Sequence, residues 1–481
     1  MTLNPTRRLS RPLVAGVALV LAVGLASAPA QAAETTAPGV LANTALAAAS
    51  ASRSADTPPT ADTPGDQPLP GYTISNPTLA PIVVGGQPTL VLQGTYNHAG
   101  FIFEVPNNWN GDLVMWAHGY RGQDYVLTTE VPKFGLRERI LGQGRAWASS
   151  SYYANGFDVR AGVLSTKDLA TLIRTSTVPQ GRNYIAGESM GGYVIGRSLE
   201  QYPNFYAGAL PLCGVLGDQT LLDGYLDYQL VAQALTGVSA YPIPADYLTN
   251  AVPRMQVATG LAGLKPGGPD TTNDLGKQLR QITINRTGGP RPGVEQAFAV
   301  WKDYLFGLAT INGGDSPARR PVQLATNIGT QYAPNAPVDV NATVLRVAPE
   351  NPTERNSTGL TEVPKIAGRP NVPVLSLHGI GDMQVPFAQE QIYYREAVAN
   401  GQGHLVVQRA IRTSGHCEFS PTEVGTAFTD LVNWVSSAVV PRGDVTTTPV
   451  ILAEANYGCR FSDPAAYASG TGTRRLYAAC S

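Results

Sequence analysis

Ser189 stands in Gly187-Glu188-Ser189-Met190-Gly191, and Asp382 and His416 follow far downstream. A serine hydroxyl is a weak nucleophile at its ordinary pKa. It becomes a strong one when a histidine takes its proton and a carboxylate holds the imidazole in the right tautomer. These residue types therefore point to acyl transfer at a carbonyl carbon. In a chain with 51 Gly the pentapeptide alone carries little. Its context carries more. Tyr184-Ile185-Ala186 reads as a strand and Gly192-Tyr193-Val194-Ile195 as a helix. Ser189 then falls on a strained strand-to-helix corner, its hydroxyl exposed and flanking glycines relieving the crowding. The bland alternative is an ordinary glycine turn.

The base must come from five histidines. His416 follows the last predicted core strand, a place from which it can reach Ser189. His98 and His404 sit near strand starts, at the far edge of a parallel sheet, and read as structural. His378 reads as packed or hydrogen-bonded near the acid loop. Asp382, in Leu377-His378-Gly379-Ile380-Gly381-Asp382, directly follows a strand and is the expected acid. An Asp that merely caps the next helix is its bland reading, and Asp218 is its rival.

The elements that must position these groups alternate. Strands are expected at Thr89–Gln93, Gly100–Val105, Leu113–Trp116, Ala146–Tyr152, Asn183–Ala186 and Tyr206–Leu212, with helices at Leu136–Gly142, Thr166–Arg174 and Gly192–Gln201. After a break the rhythm resumes with strands Val372–Leu377 and His404–Ile411 and helices Phe387–Ala399 and Thr422–Val435. Such alternation argues for an α/β fold with a mostly parallel twisted sheet flanked by helices. The Gly/Pro-rich and helical stretch 215–369 reads as a large, mainly helical cap inserted into a core made of 81–214 and 370–437. Residues 438–481 read as an appended tail.

Composition bounds the rest. The 481 residues are 43% hydrophobic and 14% charged, with 38 Pro and a net charge of −1, so nothing marks a nucleic-acid partner. Arg7, Arg8 and Arg11 precede an apolar run, Pro12 to Leu25, and Ala30-Gln31-Ala32 completes a signal-peptide pattern over 1–32. The run is short for a membrane anchor, and Arg7-Arg8 makes a loose twin-arginine match. Export with cleavage near Ala32-Ala33 is expected, with no stable membrane span. Residues 33–80, rich in Ala, Thr, Ser and Pro, read as a disordered linker. In an exported chain the four Cys read as disulfides, with three pairings open. Proximity favours Cys459 with Cys480, which leaves Cys213 with Cys417. No spacing suits a metal, and no cofactor is expected.

The order Ser189, Asp382, His416, with Gly-Glu-Ser-Met-Gly-Gly and Gly379-Ile380-Gly381-Asp382 followed by Val385-Pro386, resembles the α/β-hydrolase superfamily over about 81–437. The elbow is similar to those of esterases, lipases and related peptidases. The Cys after His416 resembles secreted feruloyl-esterase and tannase-like hydrolases, although Glu188 stands where those carry a Cys. The resemblance implies an oxyanion hole built from the Met190 N–H and a second donor in His118-Gly119-Tyr120-Arg121-Gly122, for which Tyr120 N–H is the candidate. It further implies hydrolysis of small or polymeric carboxylic esters. A serine exopeptidase is the alternative, for which a cluster among Asp223, Asp227 and Asp246 would have to capture an amine. A non-catalytic binding protein on the same fold comes third. The cap residues Tyr225, Tyr228, Leu230, Tyr241 and Tyr247 suit either an apolar acyl site or a packed cap core.

Overall fold

Eight short segments rich in apolar residues make the central sheet: Leu90–Tyr96 (β1), Ala99–Val105 (β2), Leu113–Ala117 (β3), Ala146–Ser150 (β4), Asn183–Glu188 (β5), Gly208–Leu212 (β6), Val374–Gly379 (β7) and Val406–Ile411 (β8). The computed structural model describes residues 65–177, 181–308, 321–470 and 472–480. Strands β3 to β8 are buried along their whole length, as expected of strands covered on both faces. Across the sheet the order is β1-β2-β4-β3-β5-β6-β7-β8. β2 runs antiparallel to both neighbours and every other pairing is parallel.

Helices Val159–Ser176 (α2), Met190–Gln201 (α3) and Ala388–Ala399 (α8) cover one face, and Leu136–Gly142 (α1) and Pro421–Ser437 (α9) the other. Helix α9 starts where a capping box says it should: Ser420 Oγ accepts from Glu423 N–H at 3.2 Å, and Glu423 Oε2 accepts from Ser420 N–H at 2.8 Å. This fixed start limits the length of the loop that carries His416. The arrangement is the α/β-hydrolase fold. Because the strands run parallel, the loops after β3, β5, β7 and β8 leave the same edge, and that edge is where a site can form.

Between β6 and β7 lie Thr220–Thr236 (α4), Ala251–Thr259 (α5), Asp274–Arg286 (α6) and Val294–Gly307 (α7), and no strand among the described residues. These helices share a core of their own that includes Tyr228, Tyr247, Met255, Leu279, Phe298 and Phe306. Met383, next to Asp382, is buried in the same cluster, so the insertion packs directly on the acid loop.

Two expectations need correction, and one set lies out of view. The signal segment and linker residues 33–64 fall outside the described residues. The linker does not extend to residue 80: Leu69 and Tyr72 are buried in the main core, and Thr73–Ser75 pairs in parallel with Val126–Thr128. Two large apolar side chains anchor a stretch whose average composition is polar. Nor is the tail a mere appendage. Asp444 N–H donates to Gln408 O at 2.7 Å and its Oδ2 accepts from Ala410 N–H at 2.9 Å, so the tail covers the open edge of β8. Its end is clipped by the Cys459–Cys480 disulfide.

Candidate active site

The corner between β5 and α3 puts Ser189 at φ 55° and ψ −120°, a region that non-glycine residues rarely occupy. Its N–H donates to Leu212 O at 3.0 Å, and its carbonyl accepts from the N–H groups of Gly192 at 2.9 Å and Val215 at 3.1 Å. These bonds, to the end of β6, to its loop and to the first turn of α3, hold the strained backbone. The glycines are required by close approach. A Cβ on Gly187 would lie 2.3 Å, and one on Gly191 2.0 Å, from Ala117 O at the end of β3. Any side chain there would push the corner off the sheet.

His416 and Asp382 converge on this corner. His416 Nε2 is 2.8 Å from Ser189 Oγ, and its Nδ1 is 2.6 Å from Asp382 Oδ2. Asp382 is fully buried, and its Oδ1 accepts from the N–H groups of Gln384 and Val385, each at 3.0 Å. The carboxylate is thus held by its own loop before it meets the imidazole. With Nδ1–H committed to Asp382, Nε2 is free to accept the serine proton. Asp218, the rival acid, is elsewhere: its oxygens accept from Ile366 N–H at 3.1 Å and Thr220 N–H at 3.3 Å, and burial raises its pKa to about 6.

The other histidines take separate places. His118 stacks on Tyr152 with ring centroids 3.8 Å apart, and burial pushes its pKa down to about 4, so it stays neutral. His378 lies between Glu390 Oε1 at 3.2 Å and Val385 O at 2.8 Å, beneath the acid loop. Burial opposes its charge, but the Glu390 carboxylate outweighs that and raises its pKa. His98 Nδ1 lies 2.9 Å from Gln67 O, away from the site. Gly119 passes close over the corner, since a Cβ on it would lie 3.2 Å from Ser189 Cβ. Met190 follows Ser189 in the chain and opens α3, and Tyr120 follows Gly119, the residue that passes over the corner.

Cys213 pairs with Cys417, tying the end of β6 to the loop of His416, and a sulfur of this bridge lies 3.4 Å from His416 Nε2. Cys213, His416 and Cys417 are the one cluster of possible metal ligands among the described residues, but both sulfurs are in the disulfide.

Three supports of the site had no local signal in the sequence. Trp301 on α7 donates its indole N–H to Gly381 O at 3.1 Å and Ser414 O at 2.6 Å, bridging the acid and histidine loops. From the tail, Thr473 Oγ1 accepts from Ser414 N–H at 2.7 Å and Gly415 N–H at 2.9 Å, and the Tyr477 hydroxyl is 2.8 Å from Ser414 Oγ. Beside the nucleophile corner, Lys133 bridges Glu188 and Glu130, and Arg121 reaches Glu130 at 2.8 Å. Burial, then repulsion from Glu130, raises the Glu188 pKa against the pull of Lys133.

Above Ser189 lies a cleft lined by Tyr120, Phe157, Leu221, Leu222, Tyr225 and Tyr304 among others, with no charged side chain. Of the acids weighed for amine capture, Asp223 pairs with Arg355 at 2.7 Å, and Asp227 with Arg286 at 2.6 Å and the Tyr332 hydroxyl at 2.6 Å. Asp246 is exposed and bonds Asn250 at 2.9 Å. None of the three lines the cleft. Tyr228, Leu230 and Tyr247 belong to the cap core, against which Tyr241 packs, while Tyr225 faces the cleft.

Strand order and the nucleophile-type corner make the protein an α/β-hydrolase in fold. No protein-family model matches the chain. An o-phthalyl amidase from Xanthobacter agilis is 29% identical over 93 residues, which span 19% of this chain and 20% of that protein's length. The feruloyl esterase B of Aspergillus oryzae superposes with a TM-score of 0.40 at 15% identity, over 74% of this chain and 82% of that one. A puromycin hydrolase superposes at 0.36 and 15% identity, over 74% and 40%. An acylaminoacyl peptidase from Pyrococcus horikoshii superposes at 0.33 and 10% identity, over 76% and 43%.

Proposed function

We propose that the protein is an exported serine hydrolase that cleaves carboxylic esters through an acyl-enzyme. The observation that carries this reading is the unbroken hydrogen-bonded series from Ser189 Oγ through His416 to the buried Asp382. Ser189 Oγ attacks the carbonyl carbon while His416 Nε2 takes its proton. The C=O π pair moves to oxygen, where the N–H groups of Met190 and Tyr120 receive the charge, each worth about 3–4 kcal/mol of barrier. The tetrahedral adduct collapses, the alkoxide leaves with the proton from His416, and Ser189 stays acylated. Water, deprotonated by His416, repeats the sequence and releases the acid. Asp382 keeps the imidazole oriented and stabilises its charged form throughout.

Esters are favoured over peptides by the cleft itself. An exopeptidase that binds a free amine needs a carboxylate there, and an unpaired ammonium buried against apolar walls costs several kcal/mol. The acids weighed for that task already hold arginines or face solvent. Export is supported by the two disulfides, which persist in oxidising compartments. Among the described residues no helix is long and apolar enough to cross a membrane.

A fluorophosphonate probe should label the wild type and spare Ser189→Ala. A panel of nitrophenyl esters beside aminoacyl and peptide anilides should then show ester turnover dominating. No labelling of the intact protein would defeat every enzymatic reading, and turnover of anilides alone would replace the esterase with a peptidase.

A further inference from the structure

Two cavities meet at one side chain. Tyr225 lines the cleft above Ser189 and also lines a second cavity, which lies between α4, α6 and α8. The acid loop completes the wall: Gln384 and Val385 face the cleft, and Met383 and Pro386 face the second cavity. The Tyr225 hydroxyl donates to Gln384 O at 2.6 Å, which pins the ring across the junction. Val231, Ile282 and Leu305 give the second cavity an apolar lining. Its acids, Asp223 and Asp227, are neutralised by Arg355 and Arg286. No step of the proposed reaction uses this space.

The cleft belongs to the acyl side of the reaction. His416 hands its proton to the leaving group, so the leaving group must lie beside His416, and no residue of the His416 loop lines the cleft. The acyl group is what points toward Tyr225.

We propose that Tyr225 determines acyl specificity by closing the acyl site. With the ring in place the enzyme takes compact acyl groups. With the ring removed, the cavity behind it admits a long alkyl chain. This inference rests on the ester-hydrolase reading above.

The test is kcat/KM for nitrophenyl acetate, butyrate, octanoate and laurate, with Ser189 labelling by the fluorophosphonate measured in parallel. In the wild type laurate should fall about 100-fold below butyrate, a discrimination within reach of a closed apolar pocket. Tyr225→Ala should raise the laurate-to-butyrate ratio at least about tenfold. Gly224 also lines the second cavity, and a Cβ on it meets nothing within 4 Å. Tyr225→Ala combined with Gly224→Leu should therefore refill the space and return the ratio toward the wild-type value. Should Tyr225→Ala fail to fold, Tyr225→Leu reads the same ratio. A wild type that handles laurate as well as butyrate overturns the proposal, as does an unchanged ratio in a variant whose Ser189 still labels normally. Failure of the underlying reading looks different: neither labelling nor ester turnover in the wild type.

Discussion

Replacing Asp382 with Asn changes one atom and should disable the enzyme. The Asp382 side chain is fully buried, so no water can stand in for it. Its Oδ1 accepts two backbone N–H bonds, from Gln384 and Val385, both at 3.0 Å. Turning the new amide nitrogen toward them would leave two buried donors facing a donor, at about 1–3 kcal/mol each. The amide oxygen therefore stays with the loop and the NH2 faces His416 Nδ1, where Asp382 Oδ2 now sits at 2.6 Å. Nδ1 must then accept, which puts the imidazole proton on Nε2, pointing at Ser189 Oγ 2.8 Å away. A base that already carries the proton cannot take another. The expected loss in kcat is about 10⁴-fold, or about 5 kcal/mol of transition-state stabilisation, as for a triad locked in the wrong tautomer. Steady-state hydrolysis of nitrophenyl butyrate reads it, with the thermal unfolding midpoint as a check on folding. Asp218→Asn is the control, since that carboxylate bonds Ile366 and Thr220 instead; it should stay within about threefold of wild type. Asp382→Asn retaining more than about a tenth of wild-type kcat/KM, or Asp218→Asn losing as much, would rule out Asp382 as the group that orients His416.

Trp301→Phe removes the donor shared by Gly381 O and Ser414 O; it should cost about 1–3 kcal/mol in stability and lower kcat about tenfold with KM little changed, read by denaturant titration and kinetics. Losing Cys213–Cys417, which spans 204 residues, should cost up to about 5 kcal/mol by loop-closure entropy, against about 3 for Cys459–Cys480, which spans 21. Paired Cys→Ser variants in urea test that ranking, and equal losses would contradict it. The His378 pKa is raised in the folded protein, so its contribution to stability is complete below the unfolded value of about 6.5 and is lost as pH rises through the folded value. Unfolding free energy measured across that window should fall more steeply in wild type than in His378→Gln; identical slopes would remove His378 from the account.

The candidate nucleophile, base and acid were legible in the sequence, because each sits at a strand end whose position follows from local hydrophobic pattern. Ser189 lies between β5 and α3, Asp382 follows β7, and His416 follows β8. Parallel strands send those ends to one edge, which made their convergence readable from chain order. The glycines at 187 and 191 were legible as a motif, but their reason, the closeness of Ala117 O, belongs to the neighbouring strand. Leu69 and Tyr72 were missed because two buried side chains do not change the average polarity of a linker-like stretch. Pattern is local, and a hydrogen bond between distant residues leaves no period in the chain. That is why Trp301, Thr473 and Tyr477 could not be read as supports of the loops at Asp382 and His416. It is also why Tyr225 could not be told from its cap neighbours Tyr228 and Tyr247: all three are apolar helix or loop residues in sequence, and packing alone turned the first to the cleft and the others to the core. The sequence by itself determined the order of strands and helices and the residue types at three strand ends. Tertiary packing decided which acid faces the imidazole, what braces the two loops, and where the cleft above Ser189 stops.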